Sequence, residues 1–205
     1  MRATTSPFLT AGRLRALRLR AQWLDQPRPA GPAEVVRNLC GVQAQDANAA
    51  ALSIDMRAEG LTAGDVARAR LEERSLIRTW AMRGTLHLLA AEDIGWLLPL
   101  LAPGLIAGNA RRYAELGLDA DTLARSLRAL QDALAREGPL TRAEIVARLA
   151  ERGIPLAGQA RAYLVQRAAL EGLICQGPDR GAEPAYVLLA EAGRLDRFLG
   201  ADVQL

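Results

Sequence analysis

The chain contains no lysine: all 26 of its basic residues, in 205, are arginine. Phosphate-binding P-loops, Schiff-base enzymes and protein kinases each need a lysine amine, so those classes are excluded. Histidine is nearly absent, with His87 alone, and the two cysteines, Cys40 and Cys175, stand far apart. This leaves no ligand set at zinc spacing, no histidine pair of a metalloprotease helix and little basis for a Ser-His-Asp triad. No metal and no other cofactor is expected. The two cysteines read as reduced core thiols of a cytoplasmic protein, not as a disulfide. Long apolar runs are missing too. The longest uncharged stretch, Ile94 to Ala110, carries Pro99 and Pro103 and is too short to span a bilayer. The N-terminal segment lacks the basic-then-apolar order of a secretory signal, so no membrane association is expected. Any chemistry falls to carboxylates, carboxamides, arginine or His87.

What is present is an ordinary globular composition, half apolar and about a quarter charged, long enough for one sizeable domain or two small ones. The net charge is only +3, but residues 1–40 hold seven arginines against two carboxylates, a local +5. The order of elements predicts helices from Thr10 to about Leu24 (apolar on one face, arginine on the other), from Pro32 to Cys40, from Asp46 to about Ala58, and over 63–72 behind Thr62. Ser75–Ala81 and Thr85–Leu89 then read as strands about Met82-Arg83-Gly84. After two helices expected at 91–101 and 103–115, broken by the prolines, the order recurs. A long amphipathic helix opens at Asp119. Thr141 and Glu144 form a capping box for a helix to about Arg152. A turn at Gly153-Ile154-Pro155 leads to a helix over about 158–171. Two strands follow, with Gly177–Pro184 as a loop between them.

Helix, turn, helix and hairpin, twice over, is the plan of tandem winged-helix units, mainly α with short β-hairpins. The expected divisions are 8–90, a helical connector 91–118, a second unit 119–190 and a tail 191–205. Such units commonly lay their second helix in the major groove of DNA and their wing on the backbone. The candidate contacts are Gln159, Arg161, Gln166 and Arg167 on the helix and Gln176 and Arg180 in the wing. Arginine suits phosphate and guanine, and glutamine suits adenine. The alternative, a solvated face, draws support from the near-neutral second unit and from Asp179 and Glu183 in its wing, and DNA contact is the favoured of the two.

The most unusual local feature is Gly41-Val42-Gln43-Ala44-Gln45-Asp46. Residues i and i+2 of an extended turn share a side, so two carboxamides converge, each able to donate and accept. Spacing alone makes this a weak motif, because glutamines in loops are commonly just hydrated.

Together with Arg78-Thr79-Trp80-Ala81-Met82-Arg83-Gly84-Thr85-Leu86-His87 downstream, this segment resembles the AlkZ-type (YcaQ-like) bacterial DNA glycosylases, over about residues 8–190. The resemblance implies a monofunctional glycosylase that hydrolyses N7-alkylated purines from double-stranded DNA, alkylated or cross-linked. Gln43 and Gln45 would hold the water. Asp46 would add negative charge nearby or simply cap a helix, and Arg83, Thr85 and His87 would belong to a DNA-facing hairpin. His87 also reads as a satisfied structural residue. Family members are longer, with a third winged-helix unit and a β-barrel, so the chain is expected to be a shortened relative or a piece of one. Its place of action would be the cytoplasm, at the nucleoid. The alternatives are a non-catalytic winged-helix DNA-binding or regulatory protein and a helical interaction module that binds no nucleic acid.

Overall fold

A computed structural model of the chain describes residues 10–26, 30–181 and 183–192. Of the tail read at 191–205, residues 193–205 lie outside these, as do residues 8 and 9 of the first unit. Among the described residues no helix is long and apolar enough to cross a membrane.

The first half runs α1 (Ala11–Ala21), α2 (Pro32–Asn38), β1 (Val42–Gln43), α3 (Ala47–Asp55), α4 (Ala63–Leu71), β2 (Leu76–Trp80) and β3 (Leu86–Ala90). The second runs α5 (Ile94–Gly108), α6 (Ala110–Glu115), α7 (Ala120–Glu137), β4 (Leu140–Thr141), α8 (Arg142–Glu151), α9 (Ala160–Leu170), β5 (Ile174–Arg180) and β6 (Glu183–Leu188). The helix starts are set by side chains that take up orphan N–H groups. Thr10 accepts from Arg13, Asp46 from Ala49, and Asp119 from Thr122. Thr62 with Asp65 and Thr141 with Glu144 close reciprocal capping boxes.

The strands form one antiparallel sheet in the order β1-β3-β2-β5-β6-β4. A single row of register partners crosses it from edge to edge: Val42, Leu88, Arg78, Gln176, Tyr186 and Leu140. Strand alternation sorts the core into three clusters. Val42, Leu76 and Leu88 pack with Val35, Val36, Ile54 and Val66 of α2–α4. Ile174 and Tyr186 pack with Leu130, Leu134, Ile145, Leu149 and Leu164 of α7–α9. The opposite face, with Ile77, Leu89 and Cys175, is covered by Ile94, Leu97 and Leu98 of α5. Each fully buried leucine or isoleucine contributes about 2 kcal/mol of transfer free energy, and the sheet is where the three clusters meet.

Four expectations are corrected. Pro99 and Pro103 do not separate two helices, because α5 runs through both. They stand four residues apart on the exposed side, so the carbonyls left without N–H partners face water while Leu97, Leu98 and Ala102 stay buried. The loop read at 177–184 is largely strand: β5 and β6 pair out to Arg180 and Glu183. Cys40 is exposed; only Cys175 is a core thiol, its pKa pushed up to about 12 by burial. Finally, α1 buries none of its residues, so its leucines line no core face.

Candidate functional site

Two backbone conformations project the carboxamides from the sheet edge. Cys40 (φ 59°) and Gly41 (φ 118°) turn the chain sharply out of α2. A Cβ at Gly41 would lie 2.8 Å from Leu89 Cδ2 and 3.0 Å from Met82 Cε, so glycine alone permits this approach. The turn seats β1 against β3, with Gln43 opposite His87, and the Ala44 N–H donates to the Leu86 carbonyl at 2.8 Å. Alternation does the rest. Ala44 is fully buried, and Gln43 and Gln45 stand exposed on either side of it.

The two carboxamides do converge. Gln43 Nε2 donates to Gln45 Oε1 at 2.6 Å, and Arg83 Nη2 donates to Gln43 Oε1 at 3.3 Å. Arg83 sits in the 3₁₀ turn between β2 and β3 with φ 57°. This is a relay of donors running guanidinium, carboxamide, carboxamide; the Gln45 Nε2 amide at its end has no partner among the described residues. Asp46 follows, exposed, with Oδ1 accepting the Ala49 N–H at 2.9 Å.

The main chain of the motif is fastened from behind. Arg78 donates through Nε to the Ala44 carbonyl at 2.9 Å and through Nη2 to the Gln45 carbonyl at 3.2 Å. It lies on the opposite sheet face from Gln43, half-buried, and burial first, then the neighbouring Arg70, push its pKa below the ordinary arginine value. In the sequence, Arg78 stands in the Arg78–His87 segment with no local partner that would mark a role. The signal was there: a lone charge within Leu-Ile-Arg-Thr-Trp, a strand otherwise free of charge.

His87 is buried, only 4 % exposed. Its Nδ1 lies 2.9 Å from the Thr85 carbonyl and donates to it, which fixes the tautomer with a bare Nε2. Burial chiefly, with Arg83 adding to it, lowers its pKa against the opposing Thr85 bond, so the ring is neutral at pH 7. Thr85 is half-buried, its hydroxyl donating to the Met82 carbonyl. Across from His87 on β2, the fully buried Thr79 leaves Oγ1 without a partner.

The remaining candidates are engaged inside the second half. Gln159 accepts from Arg112, Arg161 donates to the Leu156 carbonyl, Arg167 pairs with Glu171, and Arg180 pairs with Glu144; Gln176 is buried. Gln166 alone reaches the first site, donating to the Gly84 carbonyl at 2.9 Å. The structure thus brings together Gln43, Gln45, Asp46, Arg83, Thr85 and His87, and joins α9 to them through Gln166. Among the described residues no group of His, Cys, Asp and Glu could hold a metal ion.

The chain that carries this site is similar, over most of its length, to known proteins. Residues 36–203 match the family described as DNA glycosylase AlkZ-like, and the chain belongs to that family. It is 32 % identical over 183 residues to the "Interstrand DNA cross-link repair glycosylase" of Streptomyces sahachiroi, covering 85 % of this chain and 48 % of that protein. The solved structure of Streptomyces sahachiroi DNA glycosylase AlkZ superposes with a TM-score of 0.69 at 28 % identity, over 93 % of this chain and 50 % of that one. The chain therefore spans about half the length of the relatives it matches.

Proposed function

We propose that the chain is the motif-bearing part of a DNA glycosylase that hydrolyses N7-alkylated purine nucleotides, including cross-linked ones, in duplex DNA. The observation that carries this is the Arg83–Gln43–Gln45 relay in a chain of this family. An N7-alkylated purine is already cationic. When its C1′–N9 bond breaks, the electron pair goes to N9 and the base leaves neutral, so no strong acid is required. Water must be held at C1′, and its proton must be taken up as the new C–O bond forms. The spare lone pairs of Gln43 and Gln45 suit holding that water without deprotonating it. The Asp46 carboxylate beside them suits accepting the proton and opposing the positive charge that develops on the sugar. His87, buried and engaged, serves the hairpin as a structural residue.

In this reading the chain comprises two winged-helix units, 8–90 and 119–190, joined by 91–118, with β2–β3 and β5–β6 as their wings. Support comes from the helix–turn–helix–hairpin order of α8, α9, β5 and β6. The purely regulatory alternative needs α9 as a free recognition helix. Its polar side chains are occupied internally, which argues against that role. A chromosomal substrate would place the protein with the nucleoid in the cytoplasm.

The test is release of N7-methylguanine from alkylated duplex. The chain should release it, and Gln43→Ala and Gln45→Ala should each slow release by about 100-fold while binding undamaged duplex normally. Binding without release by the unsubstituted chain would remove the enzymatic reading.

A further inference from the structure

Behind the glutamine turn, between α3, α4 and the sheet, lies a cleft of about 320 Å³ whose lining includes Ala44, Asn48, Gly64, Arg70 and Arg78. Most of its walls are alanine and glycine, so the two guanidiniums dominate its chemistry. Neither has a carboxylate within ion-pairing distance among the described residues. Arg70 spends one N–H on the Gly177 carbonyl, and Arg78 spends Nε and Nη2 on the Ala44 and Gln45 carbonyls. Nε and Nη1 of Arg70 and Nη1 of Arg78 keep their hydrogens unbound.

Two unpaired guanidiniums lining one cleft repel each other, and Arg70 is felt at Arg78. The nearest opposing charges, Asp46 and Asp179, act only at a distance, and Asp46 already caps α3. The first turns of α3 (Ala47, Asn48) and α4 (Ala63, Gly64) also line the space, and their dipoles add positive potential. Elsewhere Arg37, Arg68, Arg112, Arg148, Arg152, Arg167 and Arg180 are each neutralised by a carboxylate. Among the described residues Arg70 and Arg78 carry no such carboxylate, and they share one cleft.

We infer that Arg70 and Arg78 form a binding site for a phosphate group, occupied in the complex by a backbone phosphodiester of the DNA strand that passes the Gln43–Gln45 turn. The inference rests on duplex DNA being the substrate. The guanidinium fork matches a phosphate bidentately, and the small side chains leave room for one. Arg78 then has two tasks. It fastens the carbonyls of Ala44 and Gln45 on one side and meets the phosphate on the other, so that backbone capture is coupled to the set of the carboxamides.

The experiment follows the Arg Nε–Hε NMR resonances during titration with inorganic phosphate, alongside binding of an undamaged duplex across a salt series. The resonances of Arg70 and Arg78 should shift saturably with phosphate. Arg70→Gln should abolish the shift, lower duplex affinity about eightfold at ~0.1 M salt and reduce the log–log salt slope by about 1. Because Arg70→Gln frees the Gly177 carbonyl, Asn48→Asp at the cleft wall serves as a second variant, leaves that bond alone and should weaken both binding events. If phosphate shifts both arginines but neither variant changes duplex binding, the site takes a free phosphate and the backbone assignment is overturned. If phosphate shifts neither, no phosphate site exists. Neither readout depends on base release, so this inference and the glycosylase reading can fail separately.

Discussion

Arg78 on β2 and Gln176 on β5 are register partners, and through them the two halves of the chain close into one sheet. The pairing joins strands nearly a hundred residues apart and brings the two helical clusters onto one face. Unfolding either half would strip the edge of the other, so the halves should melt together. Urea unfolding followed by tryptophan fluorescence and by far-ultraviolet circular dichroism is expected to give coincident curves; two separated transitions would show that the seam is weak. Gln176 is also buried with Oε1 unpartnered. Gln176→Leu should therefore stabilise the protein by about 1 kcal/mol, where loss of a real hydrogen bond would destabilise it.

Arg83 occupies a left-handed conformation (φ 57°) and donates to Gln43. Those two facts separate in Arg83→Gly. Glycine relieves the αL cost of roughly 1 kcal/mol and gives back a similar amount by loosening the unfolded chain, so the melting temperature should move by no more than a few degrees. The relay, by contrast, loses its first donor, and base release should fall at least about tenfold. A variant that melts normally and releases base normally would detach Arg83 from the site.

These relationships differ in how far the sequence revealed them. The caps at Thr10, Asp46, Thr62, Asp119 and Thr141 were legible because a cap is settled within four residues. The convergence of Gln43 and Gln45 was legible for the same reason, needing only an extended turn. The joined sheet was not, since a single register pair between distant strands leaves no local trace. The prolines of α5 misled because the cost of a lost N–H depends on which face of the helix it opens. Arg78 was present in the reading without a role, because its partners are main-chain carbonyls whose approach is set by Gly41 and the tertiary fold.

His87 gives the fold a sign-definite response to acid. Its pKa is lowered in the folded protein, mainly by burial, so the unfolded chain binds the extra proton first. The stability linked to the neutral ring is present above the unfolded value, about 6.5, and is lost as pH falls below it toward the folded value. His87→Asn keeps a donor for the Thr85 carbonyl and cannot charge. Denaturation midpoints between pH 7 and 5 should fall more steeply for the unsubstituted chain than for this variant; parallel slopes would mean the ring already titrates freely in the fold.

The helix α1 poses the opposite case, an element that buries none of its own residues against the other described ones. Its eleven residues include Arg13, Arg15, Arg18 and Arg20 and no acid, and none is buried. It is held at its foot, where Arg57 donates through Nε to the Gln22 carbonyl at 2.8 Å, and at its start by the Thr10 cap. A helix of this length draws little stability from its own hydrogen bonds in water, and here no packed face adds to it. Its amides should therefore exchange with deuterium by local opening, far faster than those of α7 or α9, whose inner faces carry Leu130, Leu134, Leu164 and Val165. Adding salt should lengthen its protection by screening four like charges. Equal protection in α1 and α9 would show that α1 is covered by something in solution.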